Sequence, residues 1–197
     1  MIQKLLITLC FFLLHADHIL FAQKDYVKFE HISTEQGLSH GTVYSIFQDS
    51  KGFMWFGTLV GLNKFDGYHF TVYLHDATDS SSLAINATGG IYEDERRRLW
   101  IATWGGGLLR FDPDKEKFTT FKHDPKNEKS ISDNRVQCMY GDAKGHLWIG
   151  TFAGGVNEVD LSSDPVEFKH YQHDPDNQNS LNHNRIWSIG GDSTGSI

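Results

Sequence analysis

The chain has 197 residues, 39% of them hydrophobic and 13% aromatic, enough to bury the core of one ordinary domain. Its formal net charge is −7, whereas binding to a phosphate backbone needs clustered Lys and Arg. The one basic run, Arg96-Arg97-Arg98, falls in a turn position, so a nucleic-acid partner is excluded.

In chain order, residues 1–22 come first and differ from the rest. Lys4 precedes the apolar run from Leu5 to Leu14, and the stretch closes on Leu20-Phe21-Ala22-Gln23. That is the layout of a secretory signal peptide, with cleavage expected after Ala22. The run is shorter than the roughly 20 apolar residues of a spanning helix, and an uncleaved N-terminal anchor is the alternative. The mature chain, 23–197, then keeps one cysteine, Cys138, so no disulfide framework is available. Cys138 lies in an apolar strand pattern and reads as a small buried hydrophobe.

Residues 26–31 end in Phe29-Glu30-His31 and read as an outer strand. The same aromatic-x-His ending recurs at Tyr73/His75, Phe121/His123 and Tyr171/His173. Between these endings a longer unit repeats. Trp55, Trp100 and Trp148 are 45 and 48 residues apart, and each follows an aspartate by six residues: Asp49, Asp94 and Asp142. A period of roughly 40–50 residues marks a repeat architecture. Within one unit, 134–142 alternates as an inner strand, His146–Thr151 carries the tryptophan, Val156–Asp160 follows a glycine hairpin, and 167–173 supplies an outer strand. The fold class expected is all-β, with propeller blades of four antiparallel strands. Blade one spans about 38–80, blade two about 83–128, blade three about 131–178, and 181–197 begins a fourth. About three blades and the start of another fall short of the roughly four to eight that close a ring. The expectation is therefore an incomplete, self-associating propeller, the N-terminal fragment of a longer protein.

The run GLSHGTVYSIFQDSKGFMWFGTLVGLNKFDGYHFTVY resembles the two-component regulator propeller repeat, and the likeness extends over Tyr26 to Ile197. That repeat builds the periplasmic sensor region of hybrid two-component histidine kinases of Bacteroidetes type. The resemblance implies an extracytoplasmic ligand-sensing module whose partners are further blades, a membrane anchor in the inner membrane and a kinase. The parent would be dimeric, and its ligand an oligosaccharide released from glycan or another small extracellular molecule.

Few motifs carry chemistry. Gly105-Gly106-Gly107 and Gly154-Gly155 recur with the repeat and precede no helix, so they are hairpins and not phosphate cradles. Two strings match the nucleophile elbow, around Ser39 and Ser193, but both sit at blade turns. His75, His123 and His173 occur one per blade, too far apart for a shared metal. No catalytic residue, metal site or cofactor is expected. Asp49-x-x-Gly52-x-x-Trp55 resembles the Asp-box turn of sialidases, one residue out of register, which keeps a secreted glycan-cleaving enzyme as an alternative. A protein-interaction propeller is the other. What varies between repeats is the residue after the strand-ending threonine (Leu59, Trp104, Phe152) and the entry to the inner strand (Thr42, Ala87, Arg135, Arg185, with Trp187 behind). Aromatic faces and arginines suit sugars and acidic sugars. Trp104, Phe152, Arg135, Arg185 and Trp187 are the candidate ligand contacts, with packing between blades as the competing role. Asp49, Trp55, Asp94, Trp100, Asp142 and Trp148 are the structural repeat positions.

Overall fold

A computed structural model describes residues 28–192 and 194–197. The signal segment, its cleavage point, Tyr26 and Ser193 lie outside the described residues. Lys28–His31 belong to a unit distinct from Ile32–Ile197 and carry no strand, unlike the outer strand expected over 26–31. A strand needs a hydrogen-bonding neighbour, and these residues have none in a ladder.

From Ile32 onward the chain builds three antiparallel sheets. The first is β1 (Val43–Gln48), β2 (Met54–Thr58), β3 (Leu62–Phe65) and β4 (Phe70–Tyr73). The second is β5 (Thr88–Glu93), β6 (Leu99–Thr103), β7 (Leu108–Asp112) and β8 (Lys117–Phe121). The third is β9 (Val136–Gly141), β10 (His146–Thr151), β11 (Val156–Asp160) and β12 (Lys169–Tyr171). Each sheet keeps its strands in sequence order, the meander of a propeller blade. β1 lies against β5, and β5 against β9, so the inner strands adjoin from blade to blade.

Period-two alternation divides each second strand between two blade interfaces. Leu99 and Ile101 of β6 pack with Trp55, Leu62, Leu83, Leu109, Phe111 and Phe118 between blades one and two. Trp100 and Ala102 turn the other way, into a core with Ile131, Val136, Leu147, Ile149 and Phe168 between blades two and three. A strand buried on both faces reads as an unbroken apolar run, as LWIAT does.

The spacing of six between aspartate and tryptophan has a physical cause. In each β1–β2 type turn one carboxylate oxygen accepts backbone N–H groups two and four residues on, and the other accepts the tryptophan indole. Asp94 takes Arg96 N at 2.9 Å, Arg98 N at 3.0 Å and Trp100 Nε1 at 2.9 Å. Asp49 binds Trp55 Nε1 at 2.8 Å and Asp142 binds Trp148 Nε1 at 3.0 Å. Burial opposes ionisation of Asp142, but the donors Trp148, His146 and Lys144 outweigh it and hold its pKa at about 2. Asp192 accepts Thr194 N at 2.8 Å and Ser196 N at 3.0 Å, so the turn of a fourth repeat forms. Strands expected around it do not: the described residues between Asn184 and Ile197 have no ladder.

Linkers between blades are fastened by histidine and asparagine. Asn86, Asn134 and Asn184 accept the backbone N–H of His75, His123 and His173 at 2.6, 2.7 and 2.7 Å. Each histidine Nδ1 in turn meets the carbonyl of Leu83, Ile131 or Leu181. These histidines close loops.

Candidate functional site

A four-strand meander puts the β2–β3 type hairpins and the incoming linkers at one end of the blades, opposite the aspartate turns. Each hairpin there is built alike. Thr58, Thr103 and Thr151, all fully buried, donate their hydroxyls to the carbonyls of Gly61, Gly107 and Gly155 at 2.9, 2.6 and 2.9 Å. Gly107 has φ 85°, and a Cβ on it would lie 2.1 Å from the Phe121 carbonyl oxygen, so no other residue fits. The glycine-rich stretches are hairpins, as their recurrence implies.

On this scaffold the residue after the threonine is held by its backbone while its side chain is free to vary. Leu59, Trp104 and Phe152 donate N–H groups to the carbonyls of Thr42, Ala87 and Arg135 at 3.2, 3.2 and 3.0 Å. Trp104 also bridges antiparallel to Arg135 of the next blade. Its side chain is 50% exposed and stacks on Tyr44 of blade one, centroids 4.7 Å apart and planes at 30°. Gly89 makes that reach possible. A Cβ there would sit 3.3 Å from Trp104 Nε1, and a longer side chain would displace the indole.

Arg135 and Arg185 both rest against Phe152, at 4.3 and 4.1 Å from the ring centroid. Arg185 also lies 4.4 Å from the ring of Trp187, which is 68% exposed. Arg135 donates from Nε and Nη2 to the two oxygens of Asp133 at 3.2 and 2.9 Å. Burial opposes ionisation of Asp133, but its hydrogen bonds from Arg135 prevail and its pKa is lowered.

All five residues singled out from the sequence thus lie at one end of the blades. Phe152 gathers Arg135, Arg185 and, through Arg185, Trp187; Trp104 instead pairs with Tyr44. Tyr44 was not among the expected residues. Its signal was available, since Tyr44, Gly89, Gln137 and Trp187 occupy the same place in successive repeats, but its contact to Trp104 crosses from one blade to another. Ser39, in the first elbow-like string, is engaged by Thr58 Oγ1 at 3.1 Å and by Asn63 Nδ2 at 2.7 Å, with no histidine against its hydroxyl among the described residues. Among those residues, too, no helix is long and apolar enough to cross a membrane.

Comparison with known proteins agrees with this architecture. The family model described as two component regulator propeller matches residues 37–59 and 130–153, two copies of one repeat segment. The extracellular domain of the hybrid two component system BT3049 from B. thetaiotaomicron is 30% identical. It has a TM-score of 0.72, covering 80% of this chain and 22% of that one. The extracellular domain of BT4673 from the same organism is also 30% identical, with a TM-score of 0.67, covering 86% of this chain and 24% of that one. A curated relative, histidine kinase P4 of Formosa agariphila, is 41% identical over 63 residues, 32% of this chain and 5% of the kinase. The chain therefore spans less than a quarter of the length of each of these relatives. Residues 37–59 and 130–153 thus carry the two-component regulator propeller repeat, at equivalent places in the first and third of three tryptophan-bearing sheets, and the chain resembles the extracellular domains of hybrid two component systems.

Proposed function

We propose that this chain is the ligand-sensing part of an extracytoplasmic receptor that recognises glycan-derived oligosaccharides and passes the signal to a histidine kinase in the same parent protein. The parent is anchored in the inner membrane and acts as a dimer, and the segment itself binds without turnover. The observation that carries this is the exposed Tyr44–Trp104 stack beside the arginine-bearing Phe152. Aromatic faces with adjacent fixed donors offer a sugar ring both its apolar face and its hydroxyl partners. The relatives named as extracellular domains of hybrid two component systems support the sensor role.

The test is a titration of the purified chain with a panel of glycan fragments, read by tryptophan fluorescence and by product analysis. Saturable binding, weakened about ten-fold by Trp104→Ala as expected for a lost stacking surface, supports the reading. Cleavage of any fragment would instead favour a secreted propeller enzyme. Binding of neither sugar nor product would leave a protein-interaction propeller.

A further inference from the structure

The turns at 133–135 of repeat three and 183–185 of the partial fourth repeat, Asp-Asn-Arg and His-Asn-Arg, are alike and differ at their first residue. In repeat three Asp133 Oδ1 accepts the backbone N–H of Arg135 at 3.0 Å. In repeat four His183 Nδ1 accepts the backbone N–H of Arg185 at 2.8 Å. The side chain two residues before each arginine thus caps the same turn. Only in repeat three does it also supply a carboxylate, on which the Arg135 guanidinium docks through two nitrogens. His183 has no carboxylate to offer.

Arg185 is nevertheless held in place. Its guanidinium lies 4.1 Å from the Phe152 centroid and 4.4 Å from that of Trp187, and cation–π contacts of this kind fix a guanidinium without using its N–H donors. Among the described residues no side-chain acceptor reaches it, and the residue is exposed. A planar fork restrained by aromatic rings, with its donors unspent, is prepared to bind a carboxylate through two parallel hydrogen bonds. Repeat three shows the same arginine position satisfied in that way by Asp133.

We infer that Arg185 is the anchor for a carboxylate on the ligand, so that the sugar recognised at this mouth is a uronic acid, its carboxylate pairing with the exposed fork of Arg185 as Asp133 pairs with that of Arg135 in the preceding repeat. Trp187 and Phe152 then flank the acidic residue, and the Trp104–Tyr44 stack is left for a neighbouring ring. This rests on the glycan-binding reading above.

The experiment compares digalacturonate with its methyl ester, identical in ring and hydroxyls but neutral, against the chain labelled at its tryptophan indole nitrogens. Digalacturonate is expected to shift the Trp187 resonance and to bind at least ten-fold more tightly than the ester, the usual scale of a hydrogen bond to a charged group. Arg185→Gln should abolish that preference. His183→Asp, which supplies repeat four with the carboxylate that repeat three has, should abolish it as well by occupying the fork. Lys126→Gln, which removes an equal charge from a linker, should keep it. Equal affinity for acid and ester, or an acid preference that survives both Arg185→Gln and His183→Asp, overturns the inference while leaving glycan binding intact. If neither sugar perturbs Trp104 or Trp187, the inference falls, and the titration with the glycan panel then decides the reading on which it rests.

Discussion

Replacing Asp94 by alanine tests the turn that defines the repeat. Asp94 is the most enclosed of the three aspartates for which a tryptophan partner is described, its side chain 1% exposed, and Arg98 beside it is 16% exposed. The substitution leaves the Trp100 indole N–H, fully buried, without its acceptor, which costs about 1–3 kcal/mol. It also deprives Arg98 of the carboxylate at 2.7 Å and frees two turn N–H groups, so the total expected is about 3–5 kcal/mol. Asp94→Asn keeps an oxygen for the backbone donors but turns an amide N–H₂ toward Trp100 Nε1 and Arg98 Nε, donor against donor, and should recover about half of that loss. Asp142→Ala, where the Trp148 ring is only half-buried, should cost about 1–2 kcal/mol because water can replace the carboxylate. Urea unfolding followed by tryptophan fluorescence measures all three. An Asp94→Ala loss below about 1 kcal/mol, or an Asp142→Ala loss as large as that of Asp94→Ala, would refute the role given to the buried acceptor.

Gly107→Ala should destabilise by about 3 kcal/mol or abolish folding, since it adds a backbone clash to a left-handed φ. Gly52→Ala, at φ 90° in open space, should cost only about 1 kcal/mol in the same melt. Asp142 has a pKa of about 2 in the folded chain against 3.8 ordinarily, so the unfolded chain takes up its proton first as pH falls. Its contribution, about 2 kcal/mol, is fully present above pH 4 and is lost between pH 4 and 2; Asp142→Asn should flatten that part of the stability profile. Asn157 accepts Ser132 N at 2.9 Å and donates to Ser132 Oγ at 2.8 Å, where repeat two has Leu109 and Ala84. Asn157→Leu alone should cost about 1–3 kcal/mol, and Ser132→Ala added to it should restore at least 1 kcal/mol in a double-mutant cycle.

What the sequence disclosed was whatever the repeat repeats. Trp55, Trp100 and Trp148 recur because each blade meets its neighbour in the same way, and the alternation of LWIAT between two interfaces follows from one strand having two buried faces. The β11 and β10 bounds, Val156–Asp160 and His146–Thr151, agree with the sequence reading because glycine and polar turns bracket them. Tyr44 escaped notice because its partner Trp104 is 60 residues away and in another blade. The room for that contact comes from Gly89, an absence of side chain that carries no sequence signal by itself. The described residues 28–31 and those after Asn184 lack the strands expected there for a different reason. Apolar alternation specifies which face a strand would bury, but the ladder requires a partner, and within the described residues those segments have none.

Divergence between repeats locates function more sharply than any single motif. A position that supports the blade must do the same physical work in every copy, so Asp49, Asp94 and Asp142, the threonines at the strand ends and the linker asparagines are fixed by geometry. A position relieved of that work is free to change. At the hairpin end the backbone of residues 59, 104 and 152 is held by main-chain bonds alone, so Leu, Trp and Phe are all compatible with one fold. The same holds two residues before Arg135 and Arg185, where aspartate and histidine cap the same turn. An exposed tryptophan costs a soluble surface something, and an arginine held against aromatic rings gives up side-chain freedom. Neither is needed to build the blade, since blade one does without both, having Leu59 and Thr42 at the corresponding places. On the proposed function, their presence in the later repeats is accounted for by a ligand that meets this end of the blades.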